Sequence, residues 1–463
     1  MKELLADFLS RALRYIDGLD SRHVAPSAEA VERLALLDEP LPEHPTDPLT
    51  VLQTLDEVGS PATVTGSGAR YFGFVTGGVL PAALAANLMA GVWDQNAAYR
   101  VMSPVAARIE DICLKWLREA LGLPASAGAG FVTGATMANF AGLAAARRAI
   151  LLKAGWNVEE DGLIGAPPIR VVVGDEVHAS LLKALSLLGL GRSRVERVAV
   201  DDQGRMRADA LPDLSGATIV CIQAGNVNTG AFDPAREICS AARDAGAWVH
   251  VDGAFGLWAA ASQRLAHLAA GFAGADSWAT DAHKWLNAPY DSGIVFVREA
   301  EHLRAAMTVG AAYLIAGAER EPSHYTPDMS RRARGIEIWA ALRSLGRAGL
   351  ADLIDRSCRH AARFAEGLRA AGYEILNEVA LNQTLVSFGD DDTTRRVIEA
   401  VQSDGTCWLG GTVWRARAAM RISVSSWATT AEDVERSLDA IIRVAKLQSK
   451  AQGPSPDRMP YGV

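Results

Sequence analysis

The chain has 463 residues, 49% of them apolar and 22% charged, with a formal net charge of −8 at pH 7. This is globular composition on a length that calls for two or three domains, and it excludes wholesale disorder and fibrous chains. An acidic balance with no lysine or arginine block argues against nucleic acid or an anionic membrane as the main partner, which leaves a small molecule or another protein.

The N-terminal MKELLADFLSRALRYI reads as an amphipathic helix carrying Asp7, without the basic start and unbroken apolar core of an export signal, so a cytoplasmic protein is expected. A Pro-rich passage, DEPLPEHPTDP, then forbids a continuing helix, and residues 1–65 are expected to form an arm. From 66 to 330 short β-branched runs alternate with helical ones. IRVVVGD, TIVCIQ, AWVHVD and GIVFV are the strands of a mostly parallel sheet in a large α/β domain. Val105, Ile109, Ile112, Trp116 and Leu117 share one face of a long helix that Gly122 and Pro124 end. After 331 the pattern changes to helices at 336–347 and 352–371, short strands in TLVSF and MRISVS, and a last helix near 431–447, which reads as a smaller α+β domain to 448. Residues 449–463 are a polar, turn-rich tail expected to be exposed. Apolar stretches are all broken before the roughly 20 residues of a membrane span. Cys113, Cys221, Cys239, Cys358 and Cys407 form no CxxC pair and have no histidine in ligand spacing, so neither a disulfide framework nor a metal site is expected.

Four elements carry chemistry together. Lys284 stands in ATDAHKWL, in a polar loop opening onto a strand. Thirty-two positions upstream, AWVHVDGAFG ends an apolar strand in Asp252, followed by Gly253 and Ala254. An acid closing a buried strand points to the carboxyl edge of the sheet, where open parallel sheets bind ligands. FVTGATMANFAGLAAARRA runs a strand through Gly134, Ala135 and Thr136 into an Ala-rich helix, whose N-terminus is a seat for phosphate. The motif is neither GxGxxG nor GxxxxGK[ST], so dinucleotides and nucleoside triphosphates are disfavoured. His178 follows another strand in VVVGDEVHAS. Each element alone has a plain structural reading. Jointly, an amine, a carboxylate, a flat ring and a phosphate seat are what pyridoxal 5′-phosphate requires of a protein.

At this point the chain resembles the group II pyridoxal-dependent amino acid decarboxylases, the family that includes aromatic amino acid, glutamate and histidine decarboxylases. RYFGFVTGG, SPVAARIEDICLKWL, DEVHAS, AGNVNTGAFDP, WVHVDGAFG, ATDAHKWL and SRRARGIEIW occur in the family's order between about residue 50 and residue 445. The resemblance implies an aspartate-aminotransferase-like α/β enzyme of fold type I that converts an L-amino acid to its amine and carbon dioxide. It implies a homodimer with a shared active site and the N-terminal arm wrapped across it. By the same resemblance Lys284 is the Schiff-base lysine, Asp252 the partner of the pyridine nitrogen, His178 the ring that stacks on the cofactor and Ala254 the small residue beneath it. Gly134, Ala135, Thr136, Asp281 and His283 belong to the cofactor cradle, and Ser330 matches a position that reaches the neighbouring subunit's phosphate. Asn226 stands where members often carry threonine, and an amide can still hydrogen-bond there.

Two departures leave alternatives open. AAYLIAGAEREPSHYTPDMSRRARG is shorter than the family's loop, and Tyr325 is either the tyrosine that returns a proton to Cα or a loop residue. His178 and Lys284 are the other candidate donors. Without a tyrosine donor the same cofactor supports aldehyde formation, transamination or a lyase reaction; a non-catalytic binding homologue is the remaining alternative. The substrate stretch WDQNAAYRVMSP is more polar than in aromatic-substrate members. Thr76, Asn96, Arg100 and Arg421 are candidates for substrate contact, and Arg100 is equally a structural partner for Glu110 or Asp111.

Overall fold

A computed structural model describes residues 1–308 and 319–450. The chain folds into two compact units. One holds residues 77–362 and 377–384; the other holds 1–76, 363–376 and the chain from 385. The polar tail expected at 449–463 lies outside the residues whose side chains are described, as does part of the shortened loop, 309–318.

The larger unit is built on a seven-stranded sheet of β1 (Gly128–Val132), β2 (Arg170–Gly174), β3 (Glu196–Val198), β4 (Thr218–Gln223), β5 (Trp248–Asp252), β6 (Ser277–Asp281) and β7 (Gly293–Val297). Its order is β1-β7-β6-β5-β4-β2-β3, and β7 alone runs against its neighbours. The carboxyl ends of β1, β2, β4, β5 and β6 therefore share one edge. Runs such as Val171–Val173 and Ile219–Ile222 are apolar at every position because helices cover both faces, and no alternation survives. The helix Ala135–Lys153 is buried along most of its length against this sheet, which explains its alanines: small side chains permit close approach. β6 is a strand that apolar patterning does not signal, since Ser277, Thr280 and Asp281 are polar and yet buried.

A second sheet, of order β10-β11-β9-β8, is formed by β8 (Glu374–Ile375), β9 (Gln383–Ser387), β10 (Gly410–Trp414) and β11 (Arg417–Ser423). The helices Asp391–Asp404 and Ala431–Lys450 follow the expected periods. The two helices expected at 336–347 and 352–371 are one stretch, Gly335–Ala370, broken at Gly346, where φ is 60°. The N-terminal helix Lys2–Asp17 buries none of its residues, and Leu5, Leu9, Leu13 and Ile16 are exposed along it.

Candidate active site

The shared sheet edge gathers the sequence-derived residues by simple chain geometry. β6 ends at Asp281 and delivers His283 and Lys284 within three residues; β5 ends at Asp252; β1 runs through Gly134 into the helix Ala135–Lys153; β2 leads to His178; and β4 leads to Asn226. Asp281 is the hub. Its Oδ2 lies 3.0 Å from Lys284 Nζ, and its Oδ1 accepts the backbone N–H of Ala135 at 2.5 Å and lies 3.5 Å from His283 Nε2. Asp281 is buried, so this arrangement fixes the lysine amine beside the helix N-terminus. His283 accepts the N–H of Ser292 at Nδ1 and stacks on Tyr290 at 4.4 Å. Burial pushes its pKa below the usual histidine value, opposed by Asp281.

Close packing makes the cradle possible. A Cβ on Gly134 would stand 3.0 Å from His283 Cε1, and one on Gly293 would stand 2.4 Å from the Cα of Gly134. A Cβ on Gly77 would meet the Lys284 carbonyl oxygen at 1.8 Å, so only glycine lets this segment cross the lysine. Thr76 precedes it in the chain, with its N–H bonded to the Gly73 carbonyl.

Asp252 is buried and accepts from Asn139 Nδ2 at 3.2 Å and from the Ala254 N–H at 3.3 Å. Ala254 in turn gives its carbonyl to the Asp281 N–H at 2.9 Å, which ties the two strand ends together. His178 is the N-cap of the helix Ala179–Leu187 and accepts the Ser180 N–H at Nδ1, 3.2 Å, a bond that orients the ring. Asn226 folds its own loop, its Oδ1 accepting the N–H groups of Asn228 and Thr229 at 2.8 and 3.2 Å. Its Nδ2 is buried without a protein partner, as is the Ser292 hydroxyl beside His283. Buried donors left in this state fit an oxygen-rich group such as a pyridine phenolate or a phosphate. The residues present thus fit pyridoxal phosphate.

Other candidates stand elsewhere or are already engaged. Tyr325 packs its ring 3.6 Å from where a Gly128 Cβ would be, under the Arg320 guanidinium at 4.6 Å. Gly128 opens β1, so the ring packs at the opposite end of that strand from the Gly134 turn. Within the chain Tyr325 is therefore not brought to Lys284. Asn96 is a structural bracket: its Oδ1 accepts the N–H groups of Ala98 and Arg331, and its Nδ2 donates to exposed Ser330. Arg100 gives Nη2 to Asp111 at 2.9 Å, the structural alternative of the two that the sequence left open. Arg421 lies on β11 in the other unit, its pKa lowered by burial. The residues that sequence reasoning missed are Asn139, His250 and Ser277, buried polar groups behind Asp252. The only signal was polarity inside apolar runs, in WVHVD and SWATD.

Sheet order, a lysine in the loop between β6 and β7 and an acid ending the central β5 define an α/β pyridoxal-phosphate enzyme. The comparisons agree. The model of the pyridoxal-dependent decarboxylase conserved domain matches residues 31–389. An aromatic-L-amino-acid decarboxylase from Bacillus atrophaeus is 25% identical over 460 residues, covering 94% of this chain and 93% of that protein. An L-2,4-diaminobutyrate decarboxylase from Rhizobium meliloti (strain 1021) is 28% identical over 435 residues, covering 88% and 84%. The crystal structure of Oryza sativa TDC with PLP and tryptamine superposes with a TM-score of 0.88 at 21% identity, over 96% of this chain and 97% of that one, which shows the shared fold. The chain belongs to the pyridoxal-dependent decarboxylase family. It is a carboxy-lyase that uses pyridoxal phosphate and acts on an amino acid. Among the described residues no helix is long and apolar enough to cross a membrane, and no cluster of metal-ligating side chains occurs.

Proposed function

We propose that this chain removes the α-carboxylate of an L-amino acid as carbon dioxide, with Lys284 carrying the cofactor and Asp252 facing its ring nitrogen. The observation that carries the reading is Lys284 Nζ, held 3.0 Å from Asp281 at the sheet edge where Asp252 also ends its strand. Pyridoxal phosphate supplies an electron-accepting ring into which the bond to the carboxylate can deliver its electrons. The protein's part is to hold that ring. Asp252 would take its nitrogen, His178 would cover a face, Ala254 would leave room beneath, and Asn226 Nδ2 would donate to an oxygen of the ring. Gly134, Ala135, Thr136 and His283 would cradle the phosphate, with Asp281 ordering His283 and taking the Ala135 N–H. Within one chain Lys284 and His178 are the groups that hold a proton for Cα, since Tyr325 packs against the opening residue of β1.

The enzyme works as a cytoplasmic homodimer. The exposed stripe Leu5, Leu9, Leu13 and Ile16 supports a partner surface on the arm, and Ser330, exposed at the start of SRRARG, reaches the phosphate of the neighbouring subunit. Arg100, bound to Asp111, and Asn96, bracing backbone, already carry structural duties that compete with substrate contact.

The position of Tyr325 also favours a second reading, in which oxygen is consumed and an aldehyde forms with ammonia and hydrogen peroxide. One experiment separates them. Cofactor-loaded protein is incubated with each proteinogenic L-amino acid, ornithine and 2,4-diaminobutyrate while carbon dioxide, peroxide and ammonia are followed together. Carbon dioxide with stoichiometric amine and no peroxide supports decarboxylation and names the substrate. Peroxide and ammonia alongside it establish the aldehyde reaction, and no carbon dioxide from any candidate overturns both.

A further inference from the structure

Asp252 is the end of a buried hydrogen-bond chain. Trp248 Nε1 donates to Ser277 Oγ at 2.9 Å, and Ser277 Oγ lies 2.8 Å from His250 Nδ1. His250 Nε2 lies 2.9 Å from Asn139 Oδ1, and Asn139 Nδ2 donates to Asp252 Oδ2 at 3.2 Å. Asn139, His250 and Ser277 have no exposed surface, so water does not substitute for any link. Three separate segments contribute: β5, β6 and the first turns of the helix Ala135–Lys153. Gly142, three residues after Asn139, makes room for the ring, because a Cβ there would stand 2.8 Å from His250 Cε1.

Bonding rules fix the direction of the whole chain once both ends are read. An indole N–H only donates, so Ser277 Oγ accepts it and keeps its own hydrogen available for His250 Nδ1. An imidazole that accepts at Nδ1 carries its proton at Nε2 and donates it to Asn139 Oδ1. The amide nitrogen is then left for Asp252. Burial holds the His250 pKa down at about 3, which keeps the ring neutral as this scheme needs. The Asp252 end decides the direction: a carboxylate accepts only, so the amide must turn its nitrogen towards Asp252 and its oxygen towards a protonated His250 Nε2. The opposite tautomer of His250 would turn the Asn139 oxygen onto a carboxylate oxygen.

We infer that Asn139 and His250 are positioning residues that hold Asp252 through a one-way hydrogen-bond chain anchored at Trp248. With Oδ2 taken by Asn139 and Oδ1 by the Ala254 N–H at 3.3 Å, both oxygens are aimed before any cofactor arrives. The inference rests on the reading of Asp252 as the partner of the ring nitrogen.

The test uses the full chain labelled with ¹⁵N-histidine, with His250→Gln to assign the signal, and a cofactor titration followed by absorbance. In the unaltered protein, loaded or not, His250 should show a bare Nδ1 and a protonated Nε2. Asn139→Leu, similar in shape but without a donor, should weaken cofactor binding about tenfold. Asn139→Thr, whose hydroxyl both accepts and donates, should restore most of it, which a packing role alone does not explain. A proton on Nδ1 of His250, or cofactor affinity and kcat of Asn139→Leu within twofold of the parent, would overturn the inference. Should Asn139→Leu fail to fold, the tautomer in the unaltered protein still decides. Failure of the underlying reading looks different: Asp252→Ala would then bind the cofactor with unchanged affinity and absorbance while the tautomer of His250 stands as expected.

Discussion

A methyl group at Gly77 has nowhere to go, since it would stand 1.8 Å from the carbonyl oxygen of Lys284. Gly77→Ala must push one backbone off the other, at a cost of about 1–3 kcal/mol, and the displaced partner is the lysine loop. We expect a melting temperature lower by several degrees and at least a tenfold loss of kcat, checked by calorimetry and carbon dioxide release. Glu337 offers a pH-dependent test. It is buried, with Arg332 Nη2 3.3 Å from Oε1, and burial raises its pKa from 4.5 to about 7. The native state therefore keeps a proton that the unfolded chain releases, so this group's contribution to stability falls as pH rises from about 4.5 to 7. Glu337→Gln should match the parent near pH 4.5 and exceed its stability above pH 7 by about 1–3 kcal/mol, read from denaturant midpoints. Asp233, raised by burial to about 6, slopes the same way in both proteins and cancels in the difference. Lys284 and Asp252 were legible because residue type and place at a strand end are local facts. The engagements of Asn96 and Arg100 were not, because Ser330, Asp111 and Arg331 reach them from distant positions in the chain.

Local rules explain most helices and strands. Pro104 opens the helix Pro104–Ala120 and Ser103 caps it, its Oγ accepting the Ala106 N–H at 3.3 Å and donating to Gln95 at 2.9 Å. Ser103→Ala should cost about 1 kcal/mol, visible as a drop of roughly 2 °C in melting temperature with activity retained. Gly346 breaks the stretch Gly335–Ala370 at a φ of 60°, with open space around its Cβ position. Any cost of Gly346→Ala is thus one of backbone conformation, about 1 kcal/mol. β6 escaped the periodic reading for a physical reason: its buried polar groups are satisfied by partners on other strands and on the helix Ala135–Lys153, and single-strand patterning carries no record of them.

The molecule as a chain of two units leaves the N-terminal helix with an uncovered apolar stripe. If the arm joins two copies, light scattering should give twice 49.1 kDa for the parent and a smaller particle for Leu9→Glu with Leu13→Glu. A single 49.1 kDa species for the parent would refute the proposed dimer. Motif order and hydrophobic period were sufficient for the family, the cofactor and the α/β class, because those depend on residue identity along single strands and loops. Only the folded chain decided that Asp281 joins Lys284 to the helix N-terminus, that Tyr325 stands away from the lysine, and that Trp248, Ser277, His250 and Asn139 line up behind Asp252. Each of these is a contact between side chains distant in sequence, and hydrogen-bond partners at such separations are chosen by the packing of strands and helices.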